Sequence, residues 1–138
     1  MAKNIRDLMT SNPCKIDADK SVAYAAKMMR DEDVGLAPIV EGEQLVGTLT
    51  DRDIAIRVVA EGRDPESTKV QEVATTHLVT VDPQQDLDEA LRLMAQHQVR
   101  RLPVVEEDGR LVGVIAQADV AREGDERRTG EVVEKISQ

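Results

Sequence analysis

Apolar side chains recur along the chain at the i, i+3, i+4, i+7 spacing of one helix face, and they do so in two separate stretches. The first stretch holds Val22, Ala25, Ala26 and Met29, and the second holds Leu87, Ala90, Leu91 and Met94. At the start of the second stretch, Asp86 and Glu89 have the spacing of a capping box, in which side chains satisfy free backbone N–H groups. The pattern predicts two amphipathic helices, each with one buried stripe.

Shorter apolar runs, typical of strands, flank both predicted helices. One run precedes each helix, at Cys14–Ile16 and Val79–Val81. Two runs follow each helix, namely Ala37–Val40 with Leu45–Leu49, and Leu102–Val105 with Leu111–Ile115. The turn between them contains Gly42 or Gly109, where the chain must reverse. Each pair is therefore predicted as a β-hairpin, followed by a second helix over Asp51–Ala60 or Gln117–Glu123.

The two stretches are copies of one unit. A shift of 65 positions places Ile5–Gly42 on Val70–Glu107, and a shift of 66 places Leu45–Gly47 on Leu111–Gly113. We predict an α/β fold of two β-α-β-β-α repeats, packed sheet to sheet about a pseudo-twofold axis. The predicted boundaries are 1–62 for the first repeat, 63–69 for a polar linker, 70–123 for the second repeat and 124–138 for a charged tail with a short helix at 131–136.

Composition excludes several classes of function. The 18 basic and 27 acidic residues give a net charge of −9, which disfavours binding to nucleic-acid phosphates. No run approaches the ~18 apolar residues of a membrane span, and MAKNIRDLMT has no apolar signal core, so a cytoplasmic protein is expected. His77, His97 and Cys14 match no metal-ligand spacing, and no metal site is predicted. The sequence has no Ser-His-Asp set and no phosphate-binding glycine loop, so no enzymatic activity is expected.

Thr50 and Asp53 lie where a predicted strand ends and a helix begins. Two interpretations of this pair remain open. The pair is a helix cap alone if the Thr hydroxyl accepts a backbone N–H and the acid lies at the positive helix end. Alternatively, the helix N-terminus binds an anion while the carboxylate accepts hydrogen bonds from a ribose diol.

Two segments resemble the most recognisable part of CBS domains, which are named for the C-terminal region of cystathionine beta-synthase. They read DVGLAPIVEGEQLVGTLTDRDI and QHQVRRLPVVEEDGRLVGVIAQADV. Each contains Pro-Val/Ile-Val, a turn, Leu-Val-Gly and an Asp in the next helix. The resemblance runs from Ile5 to Arg122, and the whole chain is similar to small stand-alone two-CBS proteins of bacteria. It implies a ligand-binding module for adenosine-containing ligands, among which the family uses AMP, ADP, ATP, S-adenosylmethionine and NAD.

The resemblance also implies two clefts between the repeats. In CBS pairs the Thr or Ser lies near a phosphate and the Asp holds the ribose hydroxyls. One cleft would then consist of Thr50, Asp53, Leu78, Val79, Arg100 and Arg101, with Leu78 and Val79 beside the base. The other would consist of Pro13, Cys14, Gly35, Leu36 and Asp119.

The two implied clefts differ in their phosphate-binding groups. Ala116 replaces Thr50, while Gly35 and Leu36 replace Arg100 and Arg101. Because a bound phosphate needs charge-assisted donors, we expect the cleft on Asp53 to be competent. The cleft on Asp119 would be empty or would take a neutral group. A second interpretation of the arginines stays open: adjacent strand residues point to opposite faces, so one of them could instead be solvated or pair with Glu106 or Glu107.

The leading functional hypothesis is a regulatory sensor of an adenine nucleotide, with no required cofactor, acting on a protein target that the sequence does not identify. The alternative is a dimeric interaction or stress-response protein that uses the CBS pair as a scaffold without ligand. The helix at Asp51–Ala60 carries more apolar surface than one face buries, which predicts a homodimer through this helix. CBS pairs commonly dimerise in this way.

Overall fold

The computed structural model describes residues 3–122 as two small sheets with helices packed against them. The first half contains α1 (Ile5–Leu8), β1 (Thr10–Ser11), β2 (Ile16–Asp17), α2 (Val22–Glu32), β3 (Leu36–Glu41), β4 (Gln44–Thr50) and α3 (Asp51–Ile54). The second half contains α4 (Val70–Val73), α5 (Leu87–His97), β5 (Arg101–Val105) and β6 (Leu111–Ala116), followed by helical residues 117–122. The predicted mixed α/β fold is confirmed. The predicted tail at 124–138, with its helix at 131–136, lies outside the described residues.

The two amphipathic helices, α2 and α5, form where the apolar spacing predicted them. Three of the four stripe positions of each helix are buried, but Leu91 is 38% exposed, so its predicted burial is wrong. At 100° per residue the buried face of α5 is centred between Ala90 and Met94, which places Leu91 at its margin. Asp86 caps α5 as predicted, but Glu89 does not complete a capping box, because its carboxylate binds Arg92 instead.

The hairpins agree with the predicted runs to within one residue at each end. Gly42 and Gly109 lie in the turns with φ of +65° and +87°, in the left-handed region that favours glycine. The strand predicted at Cys14–Ile16 is shorter than expected, since β2 is only Ile16–Asp17. Its counterpart at Val79–Val81 is reduced to one bridge at Val81. The residues before these positions leave the sheet because they run toward the other repeat.

The repeats exchange their first segments. β1 pairs with β6 in the second sheet, and Thr75 makes the equivalent bridge to Thr48 of β4 in the first. Ile5 of α1 is correspondingly buried in the core of the second repeat, and Val70 of α4 in that of the first. The glycine of each Leu-Val-Gly motif makes room for this crossing. A Cβ on Gly47 would lie 3.0 Å from the Thr75 carbonyl oxygen, and a Cβ on Gly113 would be more crowded, at 2.9 Å from the Thr10 carbonyl oxygen and 2.6 Å from Met9 Sδ.

The two sheets meet about the predicted pseudo-twofold axis. Gln44 bridges to its own counterpart, Arg110, at the centre. Two reciprocal hydrogen bonds flank this bridge, from Leu45 N–H to the Gly109 carbonyl (3.1 Å) and from Leu111 N–H to the Glu43 carbonyl (2.9 Å). Beneath them a small core of Val40, Leu45 and Leu111, with Leu78 and Val105 against it, joins the repeats. The pair therefore forms one structural unit.

The second helix of the first repeat changes geometry along its length. After α3 the chain continues as a π-helix over Ala55–Val59, in which the Ala60 N–H reaches back to the Ala55 carbonyl at 2.9 Å. Val58 is buried, whereas Ile56 is 50% and Val59 70% exposed. Within residues 3–122, no helix combines the length and the apolar composition needed to cross a membrane.

Candidate functional site

A groove of about 510 Å³ opens on the face where β4 ends and β5 begins. We call it the central groove. The residues of its wall that bear on function are Gly35, Leu36, Thr50, Asp51, Arg52, Arg100 and Arg101. It therefore brings together residues of both repeats, as a cleft between CBS domains requires, and its volume is that of a small-molecule site.

Thr50 and Asp53 form a complete capping box at the start of α3. The Thr50 hydroxyl accepts the Asp53 N–H at 3.0 Å, and the Asp53 carboxylate accepts the Thr50 N–H at 2.9 Å. Asp53 is buried and has two further neighbours, the Thr75 hydroxyl at 3.4 Å and Arg57 Nε at 3.8 Å. The capping interpretation is thus realised. It leaves the hydroxyl proton of Thr50 free to donate into the groove, since in the cap this oxygen acts only as an acceptor.

Three arginines converge on the central groove without internal partners. Within the described residues, the side chains of Arg52, Arg100 and Arg101 make no hydrogen bond and no ion pair. The pairing with Glu106 left open above does not occur, because Glu106 binds Arg6 at 3.1 Å. Arg100 and Arg101 both reach the groove because Arg100 precedes β5, so strand alternation does not separate them. Asp51 is the one acidic residue among the described residues that line the groove, so this part of the groove is basic in an acidic protein.

A second cavity of about 260 Å³ lies beside the central groove and is called here the Asp119 cleft. Its wall includes Pro13, Cys14, Glu32, Leu36, Arg101, Ala116 and Asp119. Four of the five residues predicted for this cleft are therefore together, while Gly35 lies in the central groove instead. The cleft was expected to lack a cation, yet Arg101 reaches into it from the second repeat.

The capping contact of Asp119 is longer than that of Asp53. Its carboxylate accepts the Ala116 N–H at 3.3 Å and pairs with Arg122 at 2.6 Å. Ala116 has no hydroxyl, so the reciprocal bond found at Thr50 has no equivalent. This half of the predicted difference between the two motifs is present in the structure.

Cys14 faces the Asp119 cleft next to Glu32. Partial burial and the negative charge of Glu32 both raise the pKa of the Cys14 thiol above its ordinary value. The thiol is therefore protonated at neutral pH and a weak nucleophile. No chemistry is assigned to it.

Three of the predicted residues do not line the central groove. Asp53 lies behind Thr50, one hydrogen bond away. Leu78 packs on the core that joins the sheets, and Val79 on the core of the second repeat. Their counterparts Pro13 and Cys14 do line the Asp119 cleft, so the two clefts differ in how far they are open.

The sequence interpretation missed several residues of the site. Arg52 lies within the Thr50–Asp53 motif itself, and comparison with Ala118 at the equivalent position would have identified it as a difference in charge. Glu32 and Thr75 carry no such signal, because their proximity to the clefts depends on how the repeats cross. His77 and His97 are exposed. Among residues 3–122, no three His, Cys, Asp or Glu side chains form a group that could hold a metal ion.

Comparison with known proteins agrees with this geometry. The CBS domain family model matches the chain twice, over residues 5–60 and 70–126. The CBS domain-containing protein YhcV of Bacillus subtilis is 44% identical over 118 residues, which cover 86% of this chain and 83% of that protein.

Two solved structures share the fold. Hypoxic Response Protein I, solved with two coordinated zinc ions, has a TM-score of 0.80 at 39% identity, covering 87% of this chain and 98% of that one. CBSX2, solved in complex with AMP, has a TM-score of 0.80 at 24% identity, covering 91% and 98%, and supports the shared fold only. With the two internal repeats as its two domains, the chain belongs to the CBS domain family.

Proposed function

We propose that this CBS pair is a regulatory module that binds an adenosine-containing ligand bearing phosphate, of the AMP, ADP or ATP class. The observation that carries the proposal is the convergence of Arg52, Arg100 and Arg101 on one groove, where their side chains have no hydrogen bond or ion pair with residues 3–122. A protein of net charge −9 has many carboxylates with which to neutralise arginines. Arginines left unpaired around a concave site are therefore available to an anion, and their planar forks suit phosphate.

The remaining residues support a nucleotide over a simple anion. Thr50 can donate its hydroxyl proton to a phosphate oxygen while its oxygen still caps α3. Behind it, Asp53 offers a carboxylate of the kind that accepts both hydroxyls of a ribose. We retain Asp53 as the dominant ribose site because three arginines lie on its side of the groove, with Leu78 and Val79 proposed beside the base. Ribose binding there would replace the long contacts to Thr75 and Arg57.

The proposal includes a homodimer and no catalytic activity. Ile56 and Val59 both belong to the π-helix and are exposed, which supports burial of this apolar surface against a second copy. The alternative, a scaffold that dimerises without ligand, would use the same surface. Only ligand binding separates the two functions.

A thermal-shift screen with AMP, ADP, ATP, S-adenosylmethionine and NAD tests the proposal. Ligand at ~100 times its dissociation constant stabilises a protein by about 2.7 kcal/mol, which for this chain length raises the Tm by roughly 8 °C. Zn²⁺ forms a separate arm, because Hypoxic Response Protein I is a zinc-containing relative. A shift with nucleotides supports the proposal, while a shift with Zn²⁺ alone, or none, contradicts it.

A further inference from the structure

Arg101 lines both the central groove and the Asp119 cleft. Its side chain is half-buried at the start of β5 and has no hydrogen bond or ion pair among residues 3–122. No hydrogen bond or ion pair in the described part of the chain therefore commits this guanidinium to either cavity.

The residue equivalent to Arg101 in the first repeat is Leu36. Leu36 begins β3 as Arg101 begins β5, 65 positions apart in the repeat, and it also lines both cavities. The two cavities thus share a wall made of one arginine and one leucine. If both repeats had an arginine at this position, the shared wall would hold two cations, one for each ligand. In this chain Leu36 replaces one of them, so the two ligand positions share one cation.

The two cavities depend on this arginine to different degrees. The central groove also has Arg52 and Arg100. Among the described residues, Arg101 is the one basic residue that lines the Asp119 cleft, where Glu32 and Asp119 supply carboxylates. Arg122 is close, but its guanidinium is bound to Asp119 at 2.6 Å. When Arg101 turns toward the groove, the other charged residues that line the Asp119 cleft, within residues 3–122, are the acids Glu32 and Asp119.

We infer that Arg101 is a single phosphate anchor shared by two ligand positions, and that a nucleotide in the central groove prevents a second from binding in the Asp119 cleft. A phosphate in the groove draws the guanidinium to itself and leaves Glu32 to repel a second phosphate. A nucleoside without phosphate does not need to pair with Arg101, so it still binds in the Asp119 cleft. The filled module therefore holds one nucleotide and one uncharged adenosyl ligand. This inference rests on the proposed function.

Calorimetry of the full chain with AMP, and with adenosine added to the AMP-saturated protein, tests the shared anchor. We expect one AMP per chain, then one adenosine. Leu36→Arg supplies the missing cation and should raise the stoichiometry to two AMP per chain. Leu36→Gln is the matched control, of similar length and no charge, and should keep one. Arg101→Leu should lower the affinity for AMP at least tenfold and change the affinity for adenosine by less than threefold.

The outcomes separate this inference from the proposed function. Two AMP molecules bound with equal affinity by the wild-type chain would overturn the shared anchor and leave the proposed function intact. Binding of one AMP with an affinity that Arg101→Leu does not change would also overturn the shared anchor and leave the proposed function intact. Binding of no adenosyl ligand would overturn both. The wild-type stoichiometry is decisive even if Leu36→Arg fails to fold.

Discussion

Replacing Thr50 by alanine separates its two roles, because the helix cap and the phosphate contact predict different losses. The substitution gives the first repeat the residue that the second has at Ala116. Loss of the hydroxyl leaves the Asp53 N–H without its 3.0 Å acceptor, and an N-cap of this kind is worth ~1 kcal/mol. For a chain of this length the Tm should fall by about 3 °C.

The ligand effect of Thr50→Ala is larger and selective. A hydrogen bond to a charged phosphate contributes ~1.5–3 kcal/mol, and each 1.4 kcal/mol is about tenfold in affinity. AMP should therefore bind at least tenfold more weakly by calorimetry, while adenosine changes little. Ser21→Ala is the matched control: Ser21 caps α2 by accepting the Tyr24 N–H at 3.0 Å, yet it does not line the groove. Equal losses for AMP and adenosine, or an equal AMP loss in Ser21→Ala, would refute the phosphate role of Thr50.

Three further predictions concern the ribose site, the assembly and the crossing of the repeats. Asp53→Asn should weaken AMP at least tenfold and Asp119→Asn less than threefold in titration calorimetry; equal losses would show that neither cleft dominates. Val59→Asp should convert a dimer to a monomer in light scattering, because a charge would enter the proposed interface, and an unchanged mass would exclude this surface. Gly113→Ala should lower stability to denaturant by about 1–3 kcal/mol, because the new Cβ would lie 2.9 Å from the Thr10 carbonyl oxygen; unaltered stability would mean that β1 moves away at no cost.

The elements of the fold were predictable where periodicity is strong. The hairpins at Leu36–Thr50 and Arg101–Ala116 follow from apolar runs around Gly42 and Gly109, and the structure moves their ends by at most one residue. The exchange of first segments was not predictable. A strand of two residues such as Thr10–Ser11 leaves no periodic pattern, and its partner β6 is chosen by contacts more than a hundred residues away.

The site was predictable in its chemistry and less so in its arrangement. Thr50 could be selected from its place between a strand and a helix, and the resemblance to CBS domains implied Arg100 and Arg101. The structure places all three around one groove. The sharing of Arg101 between two cavities could not be predicted, because a linear comparison assigns Arg101 to one repeat and one cleft. In the folded chain, Arg101 and its counterpart Leu36 both line both cavities.

The measurement that tests the central claim most directly is calorimetry of the wild-type chain with AMP and with adenosine under identical conditions. Binding of the phosphate by the arginines of the central groove predicts that AMP binds at least tenfold more tightly than adenosine, and that added salt narrows this difference. Equal affinity for the two ligands, or no binding of either, would contradict the account.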